Sequence, residues 1–249
     1  RHGGYLNKIE GDSLMFHYGG VIDPNVRDMT EQEANRYIAR ELFYSCIEMQ
    51  RVCDHFNQAN EKFLLEGVSD AARSVLQKAF DIISTLRNQF EIASSINAVF
   101  QIRVRIGANI GEVTIGNFGP DGAKQWDVVG TPVIDAKRME STAPIGGLRI
   151  SERLYQILEE TGIVDSYYER FRREAQAIFG HYRDITQDEV FKFSRVFLKD
   201  KKGAEFRTYS VQVNFRLPEA IRDQVEALLN RGPGGADRIL ELLQYYRGN

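Results

Sequence analysis

Residues 102–138, IRVRIGANIGEVTIGNFGPDGAKQWDVVGTPVIDAKR, carry the densest set of structural signals in the chain. Apolar β-type residues around Val104–Ile106 and Val113–Ile115 predict two strands, and glycines mark the bend between them. A turn-rich segment follows, and then a short strand is predicted at Trp126–Val129. The segment Gly130-Thr131-Pro132 predicts a helix start, because proline fits the first helical turn. We therefore expect two strands, a glycine-rich turn, a third strand and a helix.

A second motif lies near the N-terminal end, where residues 2–12 are HGGYLNKIEGD. Further along the chain come G-x-x-x-G-E-V-x-x-G-N-x-G and then D-V-V-G-x-x-V-x-x-A-x-R-M-E-S. This order of motifs, with a predicted strand at Thr208–Val213, resembles the catalytic domain of the class III adenylate and guanylate cyclases of bacterial type. The resemblance implies an α/β (α+β) fold related to the ferredoxin-like palm, with a mixed, mainly antiparallel sheet flanked by helices.

Composition limits the classes of function. The chain has 249 residues, 43% of them hydrophobic and 27% charged, which are ordinary globular values. A net charge of −3 provides no basic surface for nucleic acid, so we expect no nucleic-acid partner. No apolar run approaches the roughly 20 residues that span a bilayer. Cys46 and Cys53 are expected to be free thiols, and the location is expected to be cytoplasmic.

The motif near the N-terminal end predicts a β-hairpin. Tyr5–Lys8 and Ser13–Tyr18 are its expected strands, with Glu10-Gly11-Asp12 at the tip. Members of the family carry a strand before this hairpin, and that strand holds the first of two metal-binding aspartates. We expect this strand, and a sensor or regulatory region, to lie outside residues 1–249, and the alternative is that the protein has lost half of the metal site. The chain is expected to be either a cytoplasmic protein or the cytoplasmic portion of a larger or membrane-attached protein.

The segment from about residue 30 to 95 is predicted to be an extended helical insertion within a cyclase domain that spans residues 1–215. One helix is expected from Thr30 to about Glu66, and another from Ser69. The apolar stripe predicted on the second helix is Val75, Leu76, Ala79, Ile83, Leu86 and Phe90. The pair either packs on the sheet or forms a regulatory or dimerising element. Residues 216–249 are expected to form a helical tail. The apolar stripe predicted on the first helix is Tyr37, Ile38, Leu42, Cys46, Met49, Cys53 and Phe56.

The resemblance implies that two divalent ions, Mg²⁺ or Mn²⁺, act at each site, since hard cations prefer oxygen ligands. Asp12 fills the G-D position of the hairpin motif and is the candidate metal ligand. Its alternative role is that of a turn aspartate that stabilises the hairpin. The histidines show no metal-ligand spacing and are interpreted as structural or surface residues: His2, His17, His55 and His181.

Lys8 and Asp127 fall on the residues that select the base in the family. A lysine can donate to a ring nitrogen of adenine, and an aspartate can accept from the exocyclic amine. Guanine presents an acceptor there, and guanylate cyclases of the family use glutamate and cysteine instead. The pair therefore predicts ATP rather than GTP. The alternative is a solvated strand lysine and an aspartate at a strand start.

Arg138 matches the arginine that stabilises the transition state in the family, although its helix position alone would be an ordinary surface site. One turn earlier on the same face, the family has an asparagine that orients the ribose, and this chain has Ile134. The isoleucine side chain cannot form hydrogen bonds. Loss of one transition-state donor can cost a factor of about 10²–10³ in rate. Asp135 points about 100° further round the helix and is not expected to substitute.

A helix is predicted at Glu152–Gly162, with Ser151 as its cap and Leu154, Ile157 and Leu158 on its inward face.

A hairpin is predicted further along the chain, from Phe191–Lys199 and Glu205–Val213. Lys202 at its tip is the candidate for the lysine that binds the triphosphate in the family. Lys199 and Lys201 are equally possible, and the alternative is a solvated hairpin tip.

The family's sites lie at a head-to-tail dimer interface, so the resemblance implies a homodimer with two equivalent sites. The expected function is an adenylate cyclase that makes 3′,5′-cyclic AMP and pyrophosphate from ATP. The alternative is a catalytically weakened cyclase-homology domain that binds nucleotide or a partner and acts as a regulatory dimerisation module. Ile134 and the unseen first aspartate favour this alternative.

Overall fold

The computed structural model describes residues 2–57, 69–87, 101–179, 186–199 and 203–214. The candidate phosphate ligand Lys202, its neighbour Lys201 and the predicted helical tail at 216–249 lie outside these residues, as does the end of the first predicted helix. Strands in the described part of the chain are β1 Tyr5–Glu10, β2 Ser13–His17, β3 Ile106–Ala108, β4 Thr114–Phe118, β5 Gln125–Val129, β6 Leu148–Ser151, β7 Phe191–Lys199 and β8 Glu205–Val213. Its helices are α1 Glu31–Asn57, α2 Asp70–Arg87, α3 Thr131–Thr142, α4 Glu152–Glu160, α5 Ile163–Phe179 and α6 Gln187–Val190, with a 3-10 turn at Pro24–Val26.

The strands form one four-stranded sheet and two hairpins. The order in the central sheet is β3-β6-β8-β7, where β3 and β6 are parallel and the other neighbours are antiparallel. The hairpins are β1-β2 and β4-β5, both antiparallel. Because helices flank a mixed, mainly antiparallel sheet, the predicted α+β class is confirmed. The two hairpins predicted at the N-terminal end and at β7-β8 are confirmed as well.

One face of the central sheet carries the hydrophobic core. Leu148 and Ile150 alternate along β6, so both side chains point to the same face and are fully buried. Helix α4 covers this face with Leu154 and Leu158, and Ser151 caps the helix by accepting a hydrogen bond from the amide of Leu154. The predicted inward face of α4 is therefore confirmed.

Helix α1 packs on the same face, but its buried face differs from the predicted stripe. Cys46 is buried, as expected, and with Cys53 is a free thiol. Phe43 and Ile47 are completely buried although they were not in the predicted stripe, whereas Leu42 is only partly buried. The apolar band of α1 is wider than the surface that it covers, and tertiary packing decides which part faces the sheet.

Helix α2 and helix α5 differ from the expectations in other ways. Val75 was predicted to lie on the apolar stripe of α2, and it is 68% exposed. Helix α5 was not predicted, yet Ile163, Val164 and Tyr167 at its start join the core. No helix in the described ranges is long and apolar enough to cross a membrane.

Helix α3 lies in direct backbone contact with β3. A Cβ atom at Gly107 would lie 2.1 Å from the carbonyl oxygen of Ala136 and 2.3 Å from the amide nitrogen of Glu140. Because only glycine permits this approach, β3 fixes the height of α3 above the sheet. Met139 of α3 is fully buried, and Arg138 directly precedes it in the helix.

Candidate functional site

The hairpin β1-β2 and strand β5 bring Lys8 and Asp127 together. The ammonium nitrogen Nζ of Lys8 donates to Oδ2 of Asp127 at 3.1 Å, across 119 positions of sequence. Lys8 Nζ also lies 3.7 Å from a carboxylate oxygen of Glu10. The side chains of Lys8 and Asp127 are 37% and 28% exposed, so a ligand can reach both groups.

Asp127 is held by two further donors. The amide nitrogen Nδ2 of Asn7 donates to Oδ1 at 2.8 Å, and the backbone amide of Val128 donates to the same oxygen at 2.8 Å. These hydrogen bonds, chiefly that from Asn7 and then that from Lys8, lower the pKa of the Asp127 carboxyl below its usual value. The carboxylate is therefore ionised at neutral pH and held in one orientation.

Asp127 and Lys8 keep hydrogen-bonding capacity for a ligand, Asp127 as an acceptor and Lys8 as a donor. Each carboxylate oxygen can accept about two hydrogen bonds, so Oδ2 of Asp127, which accepts from Lys8, keeps capacity for another donor. The Lys8 ammonium has three protons and donates one of them to Asp127. An acceptor and a donor thus lie side by side on rigid strands, an arrangement that matches a planar edge with one donor and one acceptor.

Helix α3 carries the residues predicted for transition-state stabilisation. The guanidinium nitrogen Nη1 of Arg138 donates to Oδ1 of Asp135 at 3.0 Å, one turn earlier. Ile134, predicted to occupy the position of the family's asparagine, is 55% exposed. A cleft of about 400 Å³ lies beside Asp135, between α3, the start of α4 and the start of β8, where Arg207 pairs with Glu152 at 3.3 Å.

Asp12 occupies the turn of the first hairpin, as predicted, next to Gly11 at φ +61°. Its carboxylate is exposed and forms no hydrogen bond or ion pair with another described residue. A free, hard oxygen donor fits Mg²⁺ or Mn²⁺ as a single ligand. In the described ranges, however, no three His, Cys, Asp or Glu side chains are grouped closely enough to hold a metal ion. A metal ion at Asp12 would therefore need further ligands.

A contact links the first hairpin to helix α3. The ammonium group of Lys137 donates to the hydroxyl oxygen of Ser13 at 3.3 Å and pairs with Glu140 at 2.9 Å. Ser13 follows Asp12 directly, so the candidate metal ligand and the helix of Arg138 are neighbours within one chain. Sequence reasoning did not identify Lys137.

Of the predicted site residues, the structure brings two into contact with each other. Lys8 contacts Asp127, whereas Asp12 and Arg138 contact neither of them among the described residues. Lys199, one of the three lysines considered for the triphosphate, pairs with Glu205 at 3.2 Å across the hairpin. Asn7 was missed, because no motif position or periodicity distinguishes it from the surrounding strand residues.

The family model of the adenylate and guanylate cyclase catalytic domain matches residues 25–182, the greater part of the chain. The matched region contains Asp127 and Arg138 and begins after Lys8 and Asp12.

One relative matches over a shorter stretch than the family model. Adenylyl cyclase X E of Drosophila melanogaster is 32% identical over 115 residues, which are 45% of this chain. The match covers only 10% of that relative's length.

Among solved structures, the adenylyl cyclase CyaB from P. aeruginosa is 17% identical, with a TM-score of 0.44 over 86% of this chain and 74% of that chain. The guanylate cyclase domain of RhGC from Catenaria anguillulae, solved in complex with GTP, is 27% identical, with a TM-score of 0.30 over 59% of this chain and 63% of that chain.

Proposed function

Because the chain belongs to the adenylate and guanylate cyclase catalytic domain family, we propose that it is an adenylate cyclase that converts ATP to 3′,5′-cyclic AMP and pyrophosphate. The observation that carries the choice of ATP is the hydrogen bond of 3.1 Å between Lys8 and Asp127. Adenine offers a ring-nitrogen acceptor next to an exocyclic amine donor. Lys8 donates to the ring nitrogen, and the free capacity of Asp127 accepts from the amine.

Guanine fits this pair poorly. Its six-membered ring carries a carbonyl oxygen where adenine has the amine, and a protonated ring nitrogen where adenine has an acceptor. The carbonyl would face the carboxylate of Asp127, and the ring N–H would face the ammonium group of Lys8. Both contacts are repulsive, and unpaired polar groups at a base-binding site cost affinity. ATP is therefore the preferred substrate.

In the proposed reaction, the ribose 3′-oxygen loses its proton and attacks the α-phosphorus, and the bond from that phosphorus to the bridging oxygen of pyrophosphate breaks. Negative charge increases on the α-phosphate during this displacement. Arg138 supplies a fixed positive charge and N–H donors to that phosphate, and Lys202, Lys199 or Lys201 binds the β- and γ-phosphates, which leave as pyrophosphate. One N–H of this guanidinium donates to Asp135, and its other donors can bind the substrate phosphate.

Asp12 is proposed as one ligand of the two Mg²⁺ or Mn²⁺ ions. When bound, such ions neutralise phosphate charge and favour deprotonation of the 3′-hydroxyl. Its position on a tight hairpin turn keeps the carboxylate in a defined place. Asp12→Asn is expected to reduce the binding of Mn²⁺, measured by its paramagnetic effect on nearby NMR signals, without altering the fold.

A head-to-tail homodimer is proposed as the active form, with Lys8 and Asp127 on one side of each site. In this arrangement Asp12 lies on the same hairpin as Lys8 but serves the other of the two sites in the dimer. An equimolar mixture of Lys8→Glu and Asp12→Asn chains would then form heterodimers with one undamaged site, and activity should reappear on mixing two inactive variants. If mixing restores no activity, both residues belong to one site.

The test of the activity itself is the production of cyclic AMP from ATP, and of cyclic GMP from GTP, with Mn²⁺. We expect cyclic AMP as the main product, and a loss of at least about 10² in turnover in Arg138→Ala. Arg105→Ala is the matched control. Arg105 pairs at 3.3 Å with Glu140, which lies on the same helix as Arg138. Equal rates with GTP would contradict the choice of base.

The second candidate is a cyclase-homology domain that binds nucleotide without turning it over. The exposure of Ile134, 55%, favours it, because an apolar side chain occupies the place of a ribose-binding amide. Binding of ATP without cyclic AMP production, by a folded dimer, would support this candidate over the enzyme.

A further inference from the structure

Asn7 occupies an irregular position in strand β1. Leu6 pairs with Phe16 and Lys8 pairs with Met15, so two steps along β1 correspond to one step along β2. Asn7 is the additional residue, as in a β-bulge. In a regular strand, neighbouring side chains point to opposite faces, and Asn7 would point away from Lys8. Here both side chains donate to Asp127, at 2.8 and 3.1 Å.

The orientation of the Asn7 amide is determined by the carboxylate. An ionised carboxylate only accepts hydrogen bonds, so the amide must present its nitrogen to Asp127. The amide oxygen Oδ1 is then buried without a hydrogen-bond partner among the described residues. A buried acceptor without a partner costs stability. The contact with Asp127 is therefore retained despite this cost, which is more typical of a functional position than of a purely structural one.

We propose that Asn7 is a positioning residue that fixes the base-selecting carboxylate of Asp127 and so determines the preference for adenine over guanine. The inference rests on the proposed function, since it concerns the same site. Asn7 and Val128 occupy Oδ1, which leaves Oδ2 as the oxygen that accepts from both Lys8 and the base. Without Asn7, the carboxylate can rotate about its side-chain bond, and the acceptor is no longer fixed beside the lysine.

The chemistry of the amide suits this role. A neutral donor holds the carboxylate without competing for the ligand as a second cation would. An aspartate at position 7 would place a second negative charge about as close to Asp127 as the 2.8 Å hydrogen bond places the amide. A leucine of similar size would keep the volume and remove the donor. These two substitutions therefore separate the hydrogen bond from the packing.

The experiment uses the whole chain and measures two quantities for Asn7→Leu and Asn7→Asp. The first is the pKa of the Asp127 carboxyl, followed by NMR without nucleotide. The second is the ratio of ATP to GTP affinity, measured by displacement of a fluorescent nucleotide. The matched control is Asn25→Leu, because the Asn25 amide donates to Asp23 at 3.0 Å in the same manner, outside the site.

We expect the Asp127 pKa to rise in both Asn7 variants, more in Asn7→Asp, and to remain unchanged in the control. The ATP to GTP affinity ratio should fall about three- to tenfold in Asn7→Leu, through weaker ATP binding with GTP binding unchanged. If the wild-type chain prefers ATP and Asn7→Leu retains that ratio, the inference is wrong and the proposed function stands. If the wild-type chain shows no preference for ATP, the proposed base selection is wrong, and the proposed role of Asn7 in base selection is then wrong as well.

Discussion

Arg138 donates a hydrogen bond of 3.0 Å to Asp135, its neighbour one turn earlier on helix α3. The two side chains are 35% and 25% exposed, so the pair lies at the surface but is partly shielded from solvent. The guanidinium proposed to meet the α-phosphate is thus already neutralised by its own helix. The carboxylate of Asp135 therefore competes with a nucleotide phosphate for this guanidinium. Four predictions about the site and its support follow from such local features.

Asp135→Asn should strengthen ATP binding. The substitution removes a competing negative charge, and partly exposed ion pairs contribute up to about 1 kcal/mol, so KM should fall by at most about fivefold. Glu169→Gln is the matched control, since Glu169 forms a similar pair with Arg172 at 2.9 Å on α5. An increase in KM together with a lower kcat would mean instead that Asp135 orients Arg138 for the reaction.

Ile134→Asn should raise turnover. The side chain of Ile134 is exposed, so an amide can replace it without loss of core packing and can supply the hydrogen bond that the family uses to orient the ribose. The gain in kcat should reach up to about 10², the magnitude that one positioned donor provides. Ile145→Asn, at another exposed isoleucine, serves as the control. An unchanged kcat would show that another group already orients the ribose.

Gly107→Ala should destabilise the protein. The new methyl group would collide with the backbone of Ala136 and Glu140, and an overpacked contact of this kind costs about 1–3 kcal/mol. Urea unfolding measures the loss. Gly116→Ala is the matched control, because a Cβ atom at Gly116 meets nothing within 4 Å. Equal midpoints for the two variants would show that α3 can move away from β3 freely.

Stability should depend on pH through His17. Its ring stacks on Tyr5 at 5.4 Å, both ring nitrogens are buried without a partner among the described residues, and burial lowers its pKa below 6.5. The unfolded chain therefore binds a proton more readily, so the free energy of unfolding falls as the pH drops below about 6.5 and levels off below the folded-state pKa.

His17→Phe should remove this part of the pH dependence, which urea unfolding at pH 7.5 and 5.5 can measure. His2→Phe is the control variant, since His2 has a partner for its ring nitrogen Nδ1, a carboxylate oxygen of Glu41 at 3.0 Å. The interpretation is wrong if the His17→Phe chain loses as much stability between the two pH values as the wild type does.

The sequence predicted most of the elements around the site. Turn residues, helix caps and alternating apolar residues located the two predicted hairpins, helix α3 and helix α4, because these signals act between residues a few positions apart. The family resemblance, through the order of the motifs, selected Lys8 and Asp127, and the structure brings these two side chains into contact. The base-selecting role of Lys8 and Asp127, like the roles of Asp12, Arg138 and Lys202, remains a prediction.

Tertiary structure alone decided the rest. The buried face of α1 includes Phe43 and Ile47 because the sheet selects one part of a broad apolar band. Asn7 reaches Asp127 across 120 positions because an irregular strand pairing turns it to the face of Lys8. Local sequence specifies where strands and helices begin, since those preferences depend on neighbouring residues. Which side chain meets a given carboxylate depends on strand pairing and packing, which arise only when distant segments come together.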